Sequence, residues 1–260
     1  MKIVMIGAGN LATQLGKALL KAGHDILQVY SRTMASANAL AQCVGGAPVT
    51  DVNLLAYDAD VYIFALRDSV LGEMIPKVCH DREQRVFLHT AGSVPMSAFQ
   101  GMALHYGVLY PLQTLTKSRD IDFHNVPCFV EGNDDYARRV VGGLAGSVSR
   151  NVRPLSSEQR KYVHLAAVWA CNFVNHCYDV AAEVLESQHI PFDVLLPLID
   201  ETARKVHEMP PSGAQTGPAV RYDENIIREQ AQLMRKNPLT KDLYERLSVS
   251  VYQKNKYGND

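Results

Sequence analysis

The sequence predicts an α/β domain built on a mostly parallel, doubly wound sheet, followed by an all-α domain. Three observations carry this. Short apolar runs alternate with helical patterns over the first 150 residues. Those runs are continuous rather than alternating, as in strands buried on both faces. Beyond Arg153-Pro154 the strand signals stop and only helical periodicity is left. A chain of 260 residues accommodates one or two domains at roughly 150 residues each. The split is placed at residue 154, giving domains 1–154 and 155–260.

Residues 3–6 form the first apolar run, and 11–21 read as the first helix. Residues 26–30 form the second strand. Further strands are expected at 61–65, 86–89, 104–109 and 128–130, with helices between several of them, among them 70–78 and 135–144. The second half opens at Ser156-Ser157-Glu158-Gln159, where N-cap hydroxyls precede a helix. That helix runs to about Ser187. It is apolar on most of its circumference (Leu165, Ala166, Trp169, Phe173, Val174, Val180, Val184), so it is expected to be buried on several sides. Another helix follows Pro191, a Pro/Gly-rich loop covers 210–218, and two helices fill 224–235 and 241–253.

Composition narrows the class of function. Hydrophobic residues are 47 % and charged residues 20 %, an ordinary globular balance. Lys plus Arg (26) nearly cancels Asp plus Glu (27), so nothing favours nucleic acid or an anionic membrane as a partner. Five Cys lie far apart, at 43, 79, 128, 171 and 177, with no CxxC, which reads as reduced thiols rather than a disulfide framework or a zinc site. No signal-peptide core and no apolar run of 18 residues is present, so a cytoplasmic location is expected and neither a membrane span nor a metal.

The chemistry starts at Gly7-Ala8-Gly9-Asn10-Leu11-Ala12, a GxGxxA pattern placed directly after the first strand and opening the first helix. Gly7 allows the tight turn, Gly9 lets the backbone approach a pyrophosphate, and Ala12 lets helix and strand pack closely. The phosphates would sit on the free N–H groups of Asn10 and Leu11 at the positive end of the helix dipole. A Rossmann-like dinucleotide site follows. At the end of the second strand an NAD site usually carries Asp or Glu for the ribose 2′-hydroxyl. Here the chain reads Ser31-Arg32-Thr33, with two hydroxyl donors and a guanidinium suited to a 2′-phosphate, so NADP is the expected cofactor. Ala65, Leu66 and Arg67 follow a buried strand at the carboxyl edge, where backbone would pass beneath the cofactor. Thr90 lies at the same edge, beside His89, which either contacts substrate or nicotinamide or is satisfied by backbone.

These features resemble the superfamily of pyrroline-5-carboxylate reductase, 6-phosphogluconate dehydrogenase and ketopantoate reductase. The chain is more similar to a bacterial family of NADP oxidoreductases that pair a Rossmann-like domain with an all-helical C-terminal domain of unknown function. Four segments carry that resemblance: His89-Thr90-Ala91-Gly92, Tyr110-Pro111-Leu112-Gln113-Thr114, the run from His164 to Asn172, and Thr216-Gly217-Pro218-Ala219-Val220-Arg221-Tyr222-Asp223. Two positions depart from it, since Tyr110 stands where the family tends to have His, and Tyr222 where a Gly is usual.

The resemblance implies hydride transfer between the nicotinamide and a small imine, keto acid or alcohol. It implies a homodimer whose C-terminal helices interlock. It also implies that a polar residue and an Asn of the long helix lie beside the nicotinamide, here His164 and Asn172. The two are eight residues apart, about 80° around an ideal helix, so both can address one side of a cleft. His164 is the candidate proton donor, because a His titrates near neutrality. His176 shares the ambiguity of Asn172 between ligand and helix contact. Thr216-Gly217-Pro218 resembles the small-Gly-Pro turn that meets substrate in pyrroline-5-carboxylate reductases, and Arg221 would clamp a carboxylate or phosphate, or else pair with Asp223. The alternative to an enzyme is a non-catalytic NADP-binding sensor or assembly module, and a deazaflavin in place of a simple organic substrate ranks third.

Overall fold

The computed structural model of the chain describes residues 1–257 and divides into two compact units, Met1–Cys171 and Asn172–Asp260. The first contains one eight-stranded sheet of β1 (Lys2–Ile6), β2 (Asp25–Tyr30), β3 (Ala47–Val49), β4 (Val61–Phe64), β5 (Val86–His89), β6 (His105–Pro111), β7 (Cys128–Gly132) and β8 (Val152–Pro154). Their order is β3-β2-β1-β4-β5-β6-β7-β8, and only the β6–β7 pair is antiparallel. The order reverses between β1 and β4, which opens a crevice at the carboxyl ends of the strands, where doubly wound sheets bind ligands. The predicted fold class stands.

Alternation along the strands builds two cores. Ile3 and Met5 face one side with Leu15 and Leu19 of α1 (Asn10–Lys21), Leu40 of α2 (Met34–Val44) and Leu144 of α4 (Asp135–Val148). Val4 and Ile6 face the other, with Leu71 and Ile75 of α3 (Asp68–Cys79) and an aromatic cluster in which Phe99 meets Phe64, Phe87 and His89. Both outer strands, β3 and β8, are three residues long and contain a proline, Pro48 and Pro154.

The long helix is continuous from Ser157 to Glu186 but not uniformly α. It runs as α5 (Ser157–Ala167), a π-helical stretch over Val168–Phe173, and α6 (Val174–Glu186). The expected N-cap forms, and as a full capping box: Ser156 Oγ accepts from Gln159 N–H, and the Gln159 carboxamide accepts from Ser156 N–H. The expected burial does not hold within one chain. Leu165 (54 %), Trp169 (59 %) and Val184 (45 %) are exposed.

The second unit continues with α7 (Leu196–Glu208), α8 (Pro211–Ala214), α9 (Pro218–Arg221), α10 (Glu224–Leu233) and α11 (Pro238–Tyr257). Between residues 172 and 257 only Ala231 and Ser248 are buried. No helix among the described residues is long and apolar enough to cross a membrane, and no cluster of His, Cys, Asp or Glu there could hold a metal.

Candidate functional site

The glycine-rich turn has the geometry its spacing predicts. Gly7 sits at φ +118° and donates its N–H to Tyr30 O at 2.8 Å. A Cβ there would lie 2.3 Å from Ala65 O, so the turn and the neighbouring strand end both require glycine. Gly9 is the N-cap of α1, with no side-chain cap, no acidic residue in the first turn and open space where a Cβ would be. The N–H groups of Asn10 and Leu11 therefore open a helix whose positive end is bare, as an anion site needs. The Asn10 side chain is used elsewhere, donating to Leu115 O at 2.9 Å.

A cleft of about 590 Å³ runs from this turn across the end of β2. Gly7, Gly9, Ser31, Arg32, Ala65, Leu66 and Arg67 line it, with Ser36, Glu73 and Lys77 added. Arg32 is exposed and forms no ion pair among the described residues. Thr33 departs from expectation. Its hydroxyl caps α2, accepting from Ser36 N–H at 3.4 Å and donating to Ser36 Oγ at 3.0 Å, and Ser36 lines the cleft in its stead. A free guanidinium, an uncapped helix and a glycine cradle that a Cβ would fill together fit a dinucleotide bearing a 2′-phosphate.

The ends of β5 and β6 form a second cluster on the same carboxyl edge. Thr90 is buried, and its hydroxyl donates to Phe64 O at 3.2 Å. His89 is fully buried against Phe99. Its Nδ1 accepts from Ala91 N–H at 3.2 Å, which leaves Nε2–H to donate to Pro95 O at 3.4 Å. Burial, reinforced by the Arg160 charge, pushes its pKa down to about 4. Neither ring nitrogen is left over for a substrate, so of the two alternatives open for this residue the backbone satisfies it.

Arg160, which the sequence does not advertise, organises what lies beyond together with Gly92 and Tyr110 of the family-like segments. Arg160 of α5 is 1 % exposed and pairs with Glu131 at 2.8 Å. It also donates to Ala91 O at 3.2 Å, Val94 O at 2.6 Å and Ser157 Oγ at 3.2 Å, which straps the loop after β5 to the helix. Within that loop Gly92 lies so near His164, one turn past Arg160, that a Cβ there would fall within 3 Å of the imidazole. Tyr110, at the end of β6, also reaches His164, its hydroxyl 3.0 Å from Nδ1 and the two rings edge to face. The Asp68 carboxylate, at the start of α3, accepts from Ser93 Oγ nearby.

In the second unit Asn172 and His176 are exposed. The π-helical turn over Val168–Phe173 breaks the 100° per residue rule, so the 80° separation expected for His164 and Asn172 does not carry across it. Thr216 is exposed, and Gly217 takes φ +104° just before α9, as the small-Gly-Pro turn requires. Arg221 is exposed with no ion pair among the described residues, because Asp223 instead caps α10 through Ile226 N–H. Tyr222 is left-handed at φ +52°, which explains the usual glycine, and its ring packs on Tyr252 at 4.9 Å.

The family models divide the chain elsewhere than the two compact units do. Residues 2–91 match the family described as NADP oxidoreductase coenzyme F420-dependent, and 126–251 match a domain of unknown function (DUF2520). An inferred NADP oxidoreductase from Bacteroides fragilis is 48 % identical over 97 % of this chain and 98 % of its own, with a TM-score of 0.94. The chain belongs to this family of NADP oxidoreductases. It is an NADP-dependent oxidoreductase, as the fingerprint and the missing carboxylate after β2 predict. More distant structures share the fold. An imine reductase from Myxococcus stipitatus in complex with NADP+ is 13 % identical, covering 99 % of this chain and 95 % of its own, with a TM-score of 0.69. A pyrroline-5-carboxylate reductase from Coxiella burnetii is 16 % identical, covering 98 % and 97 %, with a TM-score of 0.58. No curated protein matches.

Proposed function

We propose that this oxidoreductase moves a hydride between the nicotinamide and a small imine, keto acid or alcohol, with His164 serving the proton at the reacting heteroatom. When bound, NADP(H) supplies or accepts the hydride. The chain's own part is to hold and orient. Gly7, Gly9 and the N–H groups of Asn10 and Leu11 take the pyrophosphate, Ser31 and Arg32 with Ser36 take the 2′-phosphate, and the strand ends at Ala65, Leu66, Arg67 and Thr90 support the rest. Asn172, Thr216, Gly217 and Arg221 handle substrate, Arg221 as a clamp for a carboxylate or phosphate.

The observation that carries the reading is His164. It is a half-buried imidazole at the carboxyl edge, gripped at Nδ1 by Tyr110, with no partner at Nε2 among the described residues. An imidazole with one nitrogen anchored and the other free is what a proton-serving group needs. The test is NADPH oxidation, followed by absorbance, with cyclic imines and keto acids. His164→Ala is expected to lower kcat by on the order of a hundredfold while leaving NADPH affinity unchanged. Full turnover in that variant refutes the assignment. A wild type that binds NADPH but reduces nothing in the panel favours the sensor module instead.

The same reading includes a homodimer through the C-terminal helices. A unit of this length with two buried residues has no core of its own, and it displays Leu198 (63 %), Leu233 (82 %) and Leu239 (69 %). A second copy of the chain covers such a surface most simply, with an apolar interface above about 2,000 Å². Light scattering at micromolar concentration is expected to give twice the 28.8 kDa chain mass, and a monomer would remove the proposal.

A further inference from the structure

We propose that Tyr110 is a positioning residue that fixes the tautomer of neutral His164, holding Nδ1 bare and placing the ring proton on Nε2. The argument is one of hydrogen accounting. Tyr110 is 7 % exposed, and its hydroxyl has a single partner among the described residues, His164 Nδ1 at 3.0 Å. A buried hydroxyl whose hydrogen finds no acceptor costs about 1–3 kcal/mol, so the hydrogen goes to the acceptor within reach. Burial holds the phenol above its usual pKa, so the proton stays on oxygen. Tyr110 therefore donates and Nδ1 accepts. A neutral imidazole carries one proton, and with Nδ1 accepting it belongs to Nε2.

Three further contacts keep the ring from escaping this arrangement. Gly92 leaves no more than a hydrogen's width beside Nδ1 and Cγ. The loop carrying Gly92 is tied to α5 through Arg160, at Ala91 O and Val94 O. The edge-to-face contact with the Tyr110 ring, 6.1 Å between centroids at 72°, orients the imidazole plane. His89, three residues before Gly92, is held as an Nε2–H tautomer by main-chain groups alone. His164 gets the same result from a side chain. Its Nε2–H then points away from Tyr110 as a ready hydrogen-bond donor to a carbonyl or alkoxide oxygen. The catalytic meaning of that donor rests on the role given to His164 above, whereas the tautomer does not.

Nitrogen-15 labelling of the histidine rings in the full-length protein tests this directly. At alkaline pH, long-range proton–nitrogen correlation spectra distinguish Nε2–H from Nδ1–H rings, and His164→Asn identifies the His164 signals by their loss. The wild type is expected to show the Nε2–H pattern alone for His164. Tyr110→Phe removes the donor and is expected to give exchange-averaged shifts of both tautomers. Tyr110→His, whose ring N–H donates, is expected to restore the single pattern. An Nδ1–H pattern in the wild type overturns the inference even if no variant folds, and so does a Tyr110→Phe spectrum identical to the wild type. In turnover, Tyr110→Phe is expected to lower kcat about tenfold with KM for NADPH unchanged. The Nε2–H pattern together with a fully active His164→Ala variant upholds the tautomer and overturns the catalytic reading alone.

Discussion

Gly92→Ala adds a single methyl at the tightest point of the second cluster. The new Cβ would lie 2.5 Å from His164 Nδ1, 2.6 Å from Cγ and 2.9 Å from Cβ, where ordinary contact begins at 3.4 Å. Relief needs a displacement of roughly 1 Å. The loop cannot give it cheaply, because Arg160 holds the carbonyls of Ala91 and Val94 on either side of Gly92, and the same Arg160 anchors the helix one turn before His164. The imidazole must rotate off Tyr110, or the Arg160 strap must loosen. Overpacking of this kind costs about 1–3 kcal/mol. At the middle of that range, a chain of this size loses roughly 4–8 °C in Tm. Thermal unfolding of wild type and variant reads this, and NADPH titration of the same samples should show little change, since Gly7, Gly9 and Arg32 are elsewhere. A Tm within about 1 °C of wild type, with the Tyr110–His164 contact still in place in a crystal structure, would refute the reasoning.

Two other outcomes are expected. Arg32→Asp should weaken NADPH by on the order of 10- to 100-fold, the worth of one charge-assisted phosphate bond, and spare or improve NADH, and calorimetry giving equal losses for both would count against a 2′-phosphate contact. His89 is accepted by the fold only as the neutral ring, so its contribution is full above pH 6.5 and is lost as pH falls from 6.5 toward about 4. That amounts to on the order of 3 kcal/mol across the window. Denaturant unfolding at several pH values should show a shallower slope for His89→Gln than for wild type, and parallel curves would mean that burial does not hold the ring neutral.

What was legible in the sequence had a local cause. The Gly7–Ala12 turn, the missing carboxylate after β2 and the N-cap at Ser156 are each decided within a few residues, and each appears as read. Thr33 shows the limit, because a hydroxyl that suits a phosphate also suits an N-cap, and the nearer Ser36 N–H took it. β3 and β8 were missed since three residues with a proline give no run to detect, and the Ala-rich α2 lacks a marked apolar stripe. The π-helical stretch over Val168–Phe173 has the composition of any apolar helix, so its change of phase leaves no trace in periodicity. Gly92 and Tyr110 stand in segments the sequence singles out, but their contacts, and Arg160 altogether, were out of reach for another reason. Apart from Ser157, their partners lie 29 to 72 positions away along the chain, and only the fold brings a loop after β5, the end of β6 and one turn of α5 together.

The two proline-bearing outer strands bear on how this molecule resists, and permits, self-association. A sheet grows sideways when a neighbour can read a long row of free N–H and C=O groups. Here each border offers three residues, and Pro48 and Pro154 each delete a donor from that short row. Neither flank can template another strand, so cross-β stacking of the native domain is blocked at both ends of the sheet. The molecule has thus separated two kinds of stickiness. Its backbone-mediated borders are sealed, while side-chain-mediated contact is left to the exposed apolar helices. Heat-driven precipitation through strand pairing should therefore first require the sheet itself to open.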